Sequence, residues 1–565
     1  MVNGPDNRLS RPRARMKTTG VFGYLFLAFI LISSEARGLE PLYDGLGSYT
    51  RKISTKSGEA QKYFDQGINF YYGFNHSAAL RAFQAAETID PDCAMNYWGA
   101  ALACAGDINF PGVPPEMAEL AWKQIQLARE HADHASPVEQ AMIEALASRY
   151  VEHQPDDRTS LDQAYADAMR TVWKKYPDDP DVGSLFAESM MDLRPWDQWT
   201  SDGKPEPGTD EILTTLESVL KTRPQHPFAN HLYIHALEAS PHPERALAVA
   251  DRVRNLQPGV AHEVHMPSHI YIRVGHWEDA VTDNLDAVAA DRRYRSVFGE
   301  PKGLNIVLYA GHNHQMLAYA AMMTGQKQLA VEHMRAFRAM IQALPEELIK
   351  KNAMLAEAYC AEPYEVLIRF GLWDEILAEP DHPEFEVFTR AFRHAARGIA
   401  YAAKGDTKAA RTEQAAFFEA VKLVPAQDNL GNNSCDAVLK VVTPMLNGEI
   451  LVREGHVDAG LAELRNAVVA EDALKYDEPP GWILPVRHSL GANLMQAGRY
   501  TEAEQVYRDD LAHLPENGWS LFGLARSLQL QGKRDEASAV QTRFQKVWAN
   551  ADTQITSSCL CQPGM

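Results

Sequence analysis

Two short runs carry histidines four residues apart. NHLYIHALE, residues 230–238, holds His231 and His235; VHMPSHIY, residues 264–271, holds His265 and His269. On a helix, positions i and i+4 share a face, so each pair can offer two imidazole nitrogens to one ion. Neutral imidazole is the commonest protein metal ligand, and imidazole combined with carboxylate suits Zn, Cu, Fe or Mn. Histidines from a neighbouring helix can complete three or four ligands. Crowded imidazoles repel one another when protonated, which a metal or a carboxylate relieves. Neither run is the H-E-x-x-H helix of metalloproteases: no Glu follows His231, and only two residues separate His262 from His265. The plain alternative is a set of hydrogen-bonded core or groove histidines.

The elements that must position these side chains are helices. Period-2 alternation rarely lasts beyond four residues, so strand signals are scarce. From Ala60 the chain reads AQKYFDQGINFYYGFNHSAALRAFQAAETIDPD, with Gly67, Phe70, Ala79, Phe83, Ala86 and Pro91 where a helix–turn–helix unit wants them. Small residues let two helices approach, large apolar ones fill the gap and Pro ends the second helix. The same frame returns near the C-terminus with Gly498, Ala503, Tyr507 and Pro515, then Gly532 and Ala537, and between the ends at Gly275, Gly325 and Gly405. The pattern resembles the tetratricopeptide repeat (TPR), whose period is about 34. The resemblance covers most of residues 55–550 and implies an all-α fold, a TPR-like solenoid of antiparallel helix pairs. A Pro- and Asn-rich stretch at 425–434 divides the expectation into an array over 55–425 and C-terminal repeats over 435–552, with a flexible tail at 553–565. Loops at 106–115 and 194–208, rich in Gly, Pro and Asp, are expected at the rim, and 476–482 (YDEPPGW) as a Pro-stiffened turn.

The repeat frame orders the histidines. Ala246 and Ala280 occupy the same place after their turns and differ by 34; His231 and His235 advanced by 34 are His265 and His269. In the family resembled, first helices line a concave surface, so the resemblance implies that these positions, and one three residues earlier, face inward. The earlier position is His262; the next unit is offset by 50, which maps His262 to His312 and His269 to Tyr319. His231, His235, His262, His265, His269 and His312 are therefore expected at one patch of the groove, with His314 pointing elsewhere. Glu238 shares the face of His235. Glu188 and Asp192, four apart in LFAESMMDL, are expected to add carboxylates beside the imidazoles, and Arg273 lies four after His269.

The chain has 565 residues and a formal net charge of −20, with 45% hydrophobic residues. That balance excludes collagen, wholesale disorder and a polytopic membrane protein, and it argues against nucleic acid, which needs a basic surface. Residues 21–32 (VFGYLFLAFILI) are uncharged, preceded by Arg8, Arg11, Arg13, Arg15 and Lys17 and followed by Ser34-Glu35-Ala36. Basic, apolar, then small is the order of a secretory signal, here 1–36, beginning at Met1 or Met16, and the run is short for a membrane span. Export to a periplasm or the extracellular space is expected, with an uncleaved N-terminal anchor as the competing reading and no membrane span once the signal is cleaved. Six Cys are too few for a disulfide scaffold; Cys559 and Cys561 form a C-x-C pair in the tail, read as frayed, and Cys93 and Cys104 lie too far apart on one helix to bridge.

These features lead to one functional expectation with two alternatives. The first is an exported TPR-repeat protein whose groove binds a ligand, a divalent or transition metal, through the His cluster. The second is a metal-dependent hydrolase or oxidoreductase with Glu238 or Glu188 as general base. The third is a metal-free scaffold for protein or peptide partners.

Overall fold

The computed structural model describes residues 39–300 and 304–561. The expected signal segment lies outside the described residues, as do 562–565 at the end of the tail.

Helices follow one another from Gly58–Tyr72 to Arg534–Val547, and each packs chiefly on its neighbours in sequence. Local chemistry sets their ends. Ser57 accepts the Ala60 N–H to open the first helix, and Asn75 accepts that of Ala78 to open His76–Ile89. Pro stands at the start of Pro180–Met191 and Pro227–Glu238, where its missing N–H costs nothing. Between Val274 and the helix Trp277–Phe298 the chain reverses through Gly275 at φ +83°, a conformation that favours glycine. Short turns of this kind leave consecutive helices antiparallel. Close approach is set by Gly67 and Gly99, which sandwich the Phe83 ring: a Cβ on either would come within 2.6 Å or 2.5 Å of it. The fold is thus all-α and TPR-like. The only strands among the described residues are Asn429–Leu430 and Asn433–Ser434, a two-residue antiparallel pair. No helix among the described residues is long and apolar enough to cross a membrane.

One apolar core runs from Leu46 through the central helices and takes in Trp519; a second runs from Ala361 to Val540. The second continues through 425–434, so the stretch expected as a linker carries the small hairpin within one packed unit. The array also curls back on itself. Trp277 Nε1 donates to the Pro515 carbonyl at 2.8 Å, Trp519 Nε1 to that of Met322 at 2.7 Å, and the Asp552 carboxylate accepts the N–H groups of Lys327 and Gln328. The C-terminal repeats therefore close on the central ones, and this closure delivers the turn 476–482 to the histidines.

The tail is a correction. Residues up to Cys561 are docked rather than frayed. Cys559 and Cys561 form a disulfide, and both are buried beside Ser489 and Glu449. Cys93 and Cys104 flank the helix Ala94–Leu102 as free, buried thiols.

Candidate metal centre

Four segments carry the six histidines and their supports. His231, His235 and Glu238 lie on Pro227–Glu238. The next first helix is broken: Ala261–His265 carries His262 and His265, and Pro267–Val274 carries His269. Pro267 has no N–H to continue the earlier helix. His312 comes from Leu304–Met323, and Glu478 from the 476–482 turn.

All six expected histidines come together, in two sets of three. The first is His231, His235 and His262; the second is His265, His269 and His312. His262 thus groups with the preceding repeat, and His312 with the pair His265/His269. In the first set, His231 Nε2 lies 3.1 Å from Nε2 of both His262 and His235. In the second, Nε2 of His265 and His269 are 2.6 Å apart, and the His312 ring centres 4.7 Å from that of His265. The sets touch: His235 and His269 centre 5.8 Å apart, His262 and His265 5.9 Å. The cluster is buried, with His231 and His265 at 0% exposure, rather than lining an open groove.

The opposite ring nitrogens fix the tautomers. His231 Nδ1 donates to the Tyr72 carbonyl at 2.6 Å and lies 3.0 Å from Glu263 Oε1. His235 Nδ1 donates to Glu238 Oε1 at 2.8 Å. His265 Nδ1 donates to Asn284 Oδ1 at 2.7 Å, and Asn284 spends its amide N–H on Ala280, so its oxygen must face the ring. His312 Nδ1 donates to Gln315 Oε1 at 3.0 Å, whose own amide is spent on Glu362. His269 Nδ1 sits 2.6 Å from Glu238 Oε2 and against Glu478 Oε2. With Nδ1 carrying the proton in His231, His235, His265 and His312, their Nε2 lone pairs turn into the cluster, where His269 Nε2 lies 2.6 Å from that of His265. Oxygen acceptors behind the imidazoles of His231, His235, His265 and His312 are the kind of support that metal-ligating histidines use to hold tautomer and orientation.

Burial and the neighbouring imidazoles hold His235, His262 and His265 well below the usual histidine range, and His312 down to about 3. For His269, burial also pushes down, but the carboxylates of Glu478 and Glu238 outweigh it and hold the ring at about 10. Burial raises the carboxyls of Glu238 and Glu263, and takes Glu478 up to about 7. The inward-facing nitrogens of His235, His262, His265 and His312 are uncharged and suit a cation, while the charged His269 would have to give up a proton to join them. Three imidazoles per ion leave a coordination position open, as catalytic three-His sites do.

The other expected residues divide. Arg273 joins the periphery, donating to the carbonyls of Glu238 and Ser240 and lying over the Tyr476 ring. Tyr319 is buried against Trp277, its hydroxyl without a partner among the described residues. Glu188 and Asp192 are a correction: Glu188 accepts the Tyr71 hydroxyl at 2.8 Å and Asp192 pairs with Arg149 at 2.9 Å, so these carboxylates engage a separate buried network rather than the six imidazoles. Being one helix pair away, they face Tyr71 and Arg149 across the preceding interface. His314 points away, to His333 at 2.9 Å. Sequence reasoning did not find Glu263, Glu478, Asn284 or the Tyr72 carbonyl; Glu263 had a signal, since it stands between His262 and His265.

No protein-family profile matches the sequence, and no curated protein matches it. Among solved structures, the chain is similar to human IFIT1 as a dimer with m7Gppp-AAAA, at 13% identity over 88% of this chain and 91% of that one, with a TM-score of 0.32. It is similar to the APC/C hetero-tetramer Cut9-Hcn1 at 10% identity over 87% and 94%, with a TM-score of 0.28. Likenesses this loose say nothing of the site, whose character comes from the chain's own helix pairs and the six histidines they enclose.

Proposed function

We propose that the chain binds transition-metal ions through its six central histidines, in an exported helical-repeat protein. One observation carries this reading. Four imidazoles, His231, His235, His265 and His312, commit Nδ1 to an oxygen, so their Nε2 lone pairs face into the cluster. The Nε2 acceptors of His231 and His235 lie 3.1 Å apart in a buried place, where they repel unless a proton or a cation sits between them. Burial opposes adding protons, which leaves a cation. Zn, Cu, Fe and Mn all accept such ligands, and the all-imidazole inner set favours Cu or Zn over Mn.

Elemental analysis by inductively coupled plasma mass spectrometry, on untagged protein from its native compartment, tests this. The expected result is near-stoichiometric metal that disappears in the His231→Ala/His265→Ala double variant while the helical fold persists. Absence of metal, with none taken up on dialysis against Cu or Zn, would overturn the reading and leave a scaffold for protein partners.

A further inference from the structure

The two three-His sets are in direct ring contact, and a cavity reaches one of them. It encloses about 110 Å³ and is lined by Phe70, Phe74, Phe110, Tyr294 and Tyr309, with His262 in its wall. Its polar end is Asp107, which accepts the Tyr309 hydroxyl at 3.2 Å and lies 3.3 Å from His76 Nε2. The Tyr309 ring stands 5.0 Å from that of His262. Phe74 separates most of the cavity from the first set: its ring lies 4.4 Å from His231, 5.4 Å from His262 and 5.7 Å from His235.

Backbone strain marks the same place. Among the described residues, Phe74, Trp196 and Glu516 are the non-glycine residues with left-handed φ. Two of the three put a ring against the first set, Trp196 standing 6.0 Å from His235. Such conformations are costly for a non-glycine residue and gather where a site must hold a side chain in place.

We propose that the two sets form one dinuclear centre, and that the cavity admits a small, uncharged aromatic molecule bearing a hydroxyl to its His262 side. This rests on the metal-binding reading above. Each set brings three imidazole nitrogens within 4.8 Å of one another and would leave an open position on an ion bound there. Glu238 ties the sets together, with one oxygen on His235 and the other at His269. The buried carboxylates of Glu238, Glu263 and Glu478 supply the negative charge that a pair of cations needs in a dry site. Two-metal sites hold their ions about 3.5–4 Å apart and act as a clamp for one small ligand. Aromatic walls fit a ring, and Asp107 can accept its hydroxyl proton in a hydrogen bond. Among the described residues the cavity lining holds Asp107 and Asp291 and no lysine or arginine, so an anionic ligand is disfavoured.

The test loads the full chain with Cu(II) and compares copper content with the electron paramagnetic resonance spin count. One ion per set, with far fewer spins than coppers, is expected, because two Cu(II) ions about 3.5–4 Å apart that share a solvent-derived hydroxide would couple their spins. His262→Ala should return the remaining copper to full spin. Two ions with full spin in the wild type, or a single ion, would overturn the dinuclear centre while leaving metal binding intact; no copper at all would instead fell the reading beneath it. For the cavity the probe is phenol. It should shift the visible spectrum of the copper-loaded wild type and leave that of Ser77→Phe, which fills the half-buried rim, unchanged at equal copper content. Phe110→Trp fills the same space from the opposite wall should the first variant fold poorly. No phenol response in the wild type, or an equal response in both filled variants, would overturn the cavity assignment.

Discussion

His231 and His262 face each other nitrogen to nitrogen, Nε2 to Nε2 at 3.1 Å. His231 has spent its proton on the Tyr72 carbonyl, so its inner nitrogen is a lone pair in a fully buried place. An ion there can bond to both nitrogens, and an ion that binds only the folded chain stabilises it by mass action. At free metal about 1,000-fold above Kd the gain is about 4 kcal/mol. Differential scanning calorimetry of metal-free protein should therefore show an upward shift on adding Cu or Zn. The shift should be clearly smaller in His262→Ala. Equal shifts in the two proteins would show that the ion sits elsewhere.

Glu238 holds one imidazole from each set: Oε1 accepts from His235 at 2.8 Å, and Oε2 lies 2.6 Å from His269. Glu238→Gln keeps the shape but replaces one acceptor by an NH2 that faces a ring N–H. Loss of such an outer partner costs about 10–100-fold in metal affinity. Competition with a chelator of known affinity should show that loss at both sets. A loss confined to one set would contradict the bridging role, and a retained fold by circular dichroism would separate the effect from misfolding.

Much of this was legible in the sequence because the repeat translates it. The 34-residue offset carries His231 and His235 onto His265 and His269, and an offset depends only on counting. The partition into sets was not legible. Pro267 interrupts the helix between His265 and His269, and His262 groups with the previous repeat, which no spacing in the sequence announces. Glu478 could not be found either. It arrives through closure of the whole array, sealed by contacts such as Trp277 to Pro515, and closure depends on small rotations summed over many repeats. The docking of the tail fails to show for the same reason: SSCLCQPGM has no periodicity, and its burial comes from a groove that other repeats build.

The N-terminal segment is tied to the site through Asp181. Arg51 Nη1 reaches Asp181 at 2.5 Å and Asp179 at 2.9 Å, while the hydroxyls of Tyr49 and Tyr72 also donate to Asp181. Burial pushes the Asp181 carboxyl up, but Arg51 with the His226 and tyrosine donors outweighs it and holds the group well below the usual carboxylate range. The folded pKa is thus below the unfolded value of about 3.9. The stabilisation is fully present above about pH 4 and is lost as pH falls toward the folded value. Urea denaturation should show Asp181→Asn less stable than wild type at pH 7, with the gap narrowed by about 1 kcal/mol at pH 3. Arg51→Ala, which strands buried Asp181, should cost about 3–5 kcal/mol at pH 7. A gap independent of pH would mean that packing, not charge, sets the effect of residue 181.

The tail hangs on Arg369. This buried guanidinium donates to the Ser558 carbonyl at 2.9 Å, bonds His488 and lies 4.0 Å over the Trp519 ring. Ser558 adds a 2.6 Å bond between its hydroxyl and that of Tyr507, which leaves Cys559 and Cys561 buried beside Ser489. Arg369→Ala removes the donor from a buried carbonyl, at about 1–3 kcal/mol. Spread over docking of the tail, that raises the undocked population about 5- to 150-fold. After mild reduction, labelling of Cys559 and Cys561 by a thiol reagent should accelerate by that factor in Arg369→Ala, while Cys93 and Cys104, buried in the N-terminal core, react as slowly as before. Unchanged labelling of the tail cysteines would place the anchor in the apolar packing of Leu560 and Ile555 instead. Uniform acceleration at all the cysteines would indicate loss of the fold rather than release of the tail.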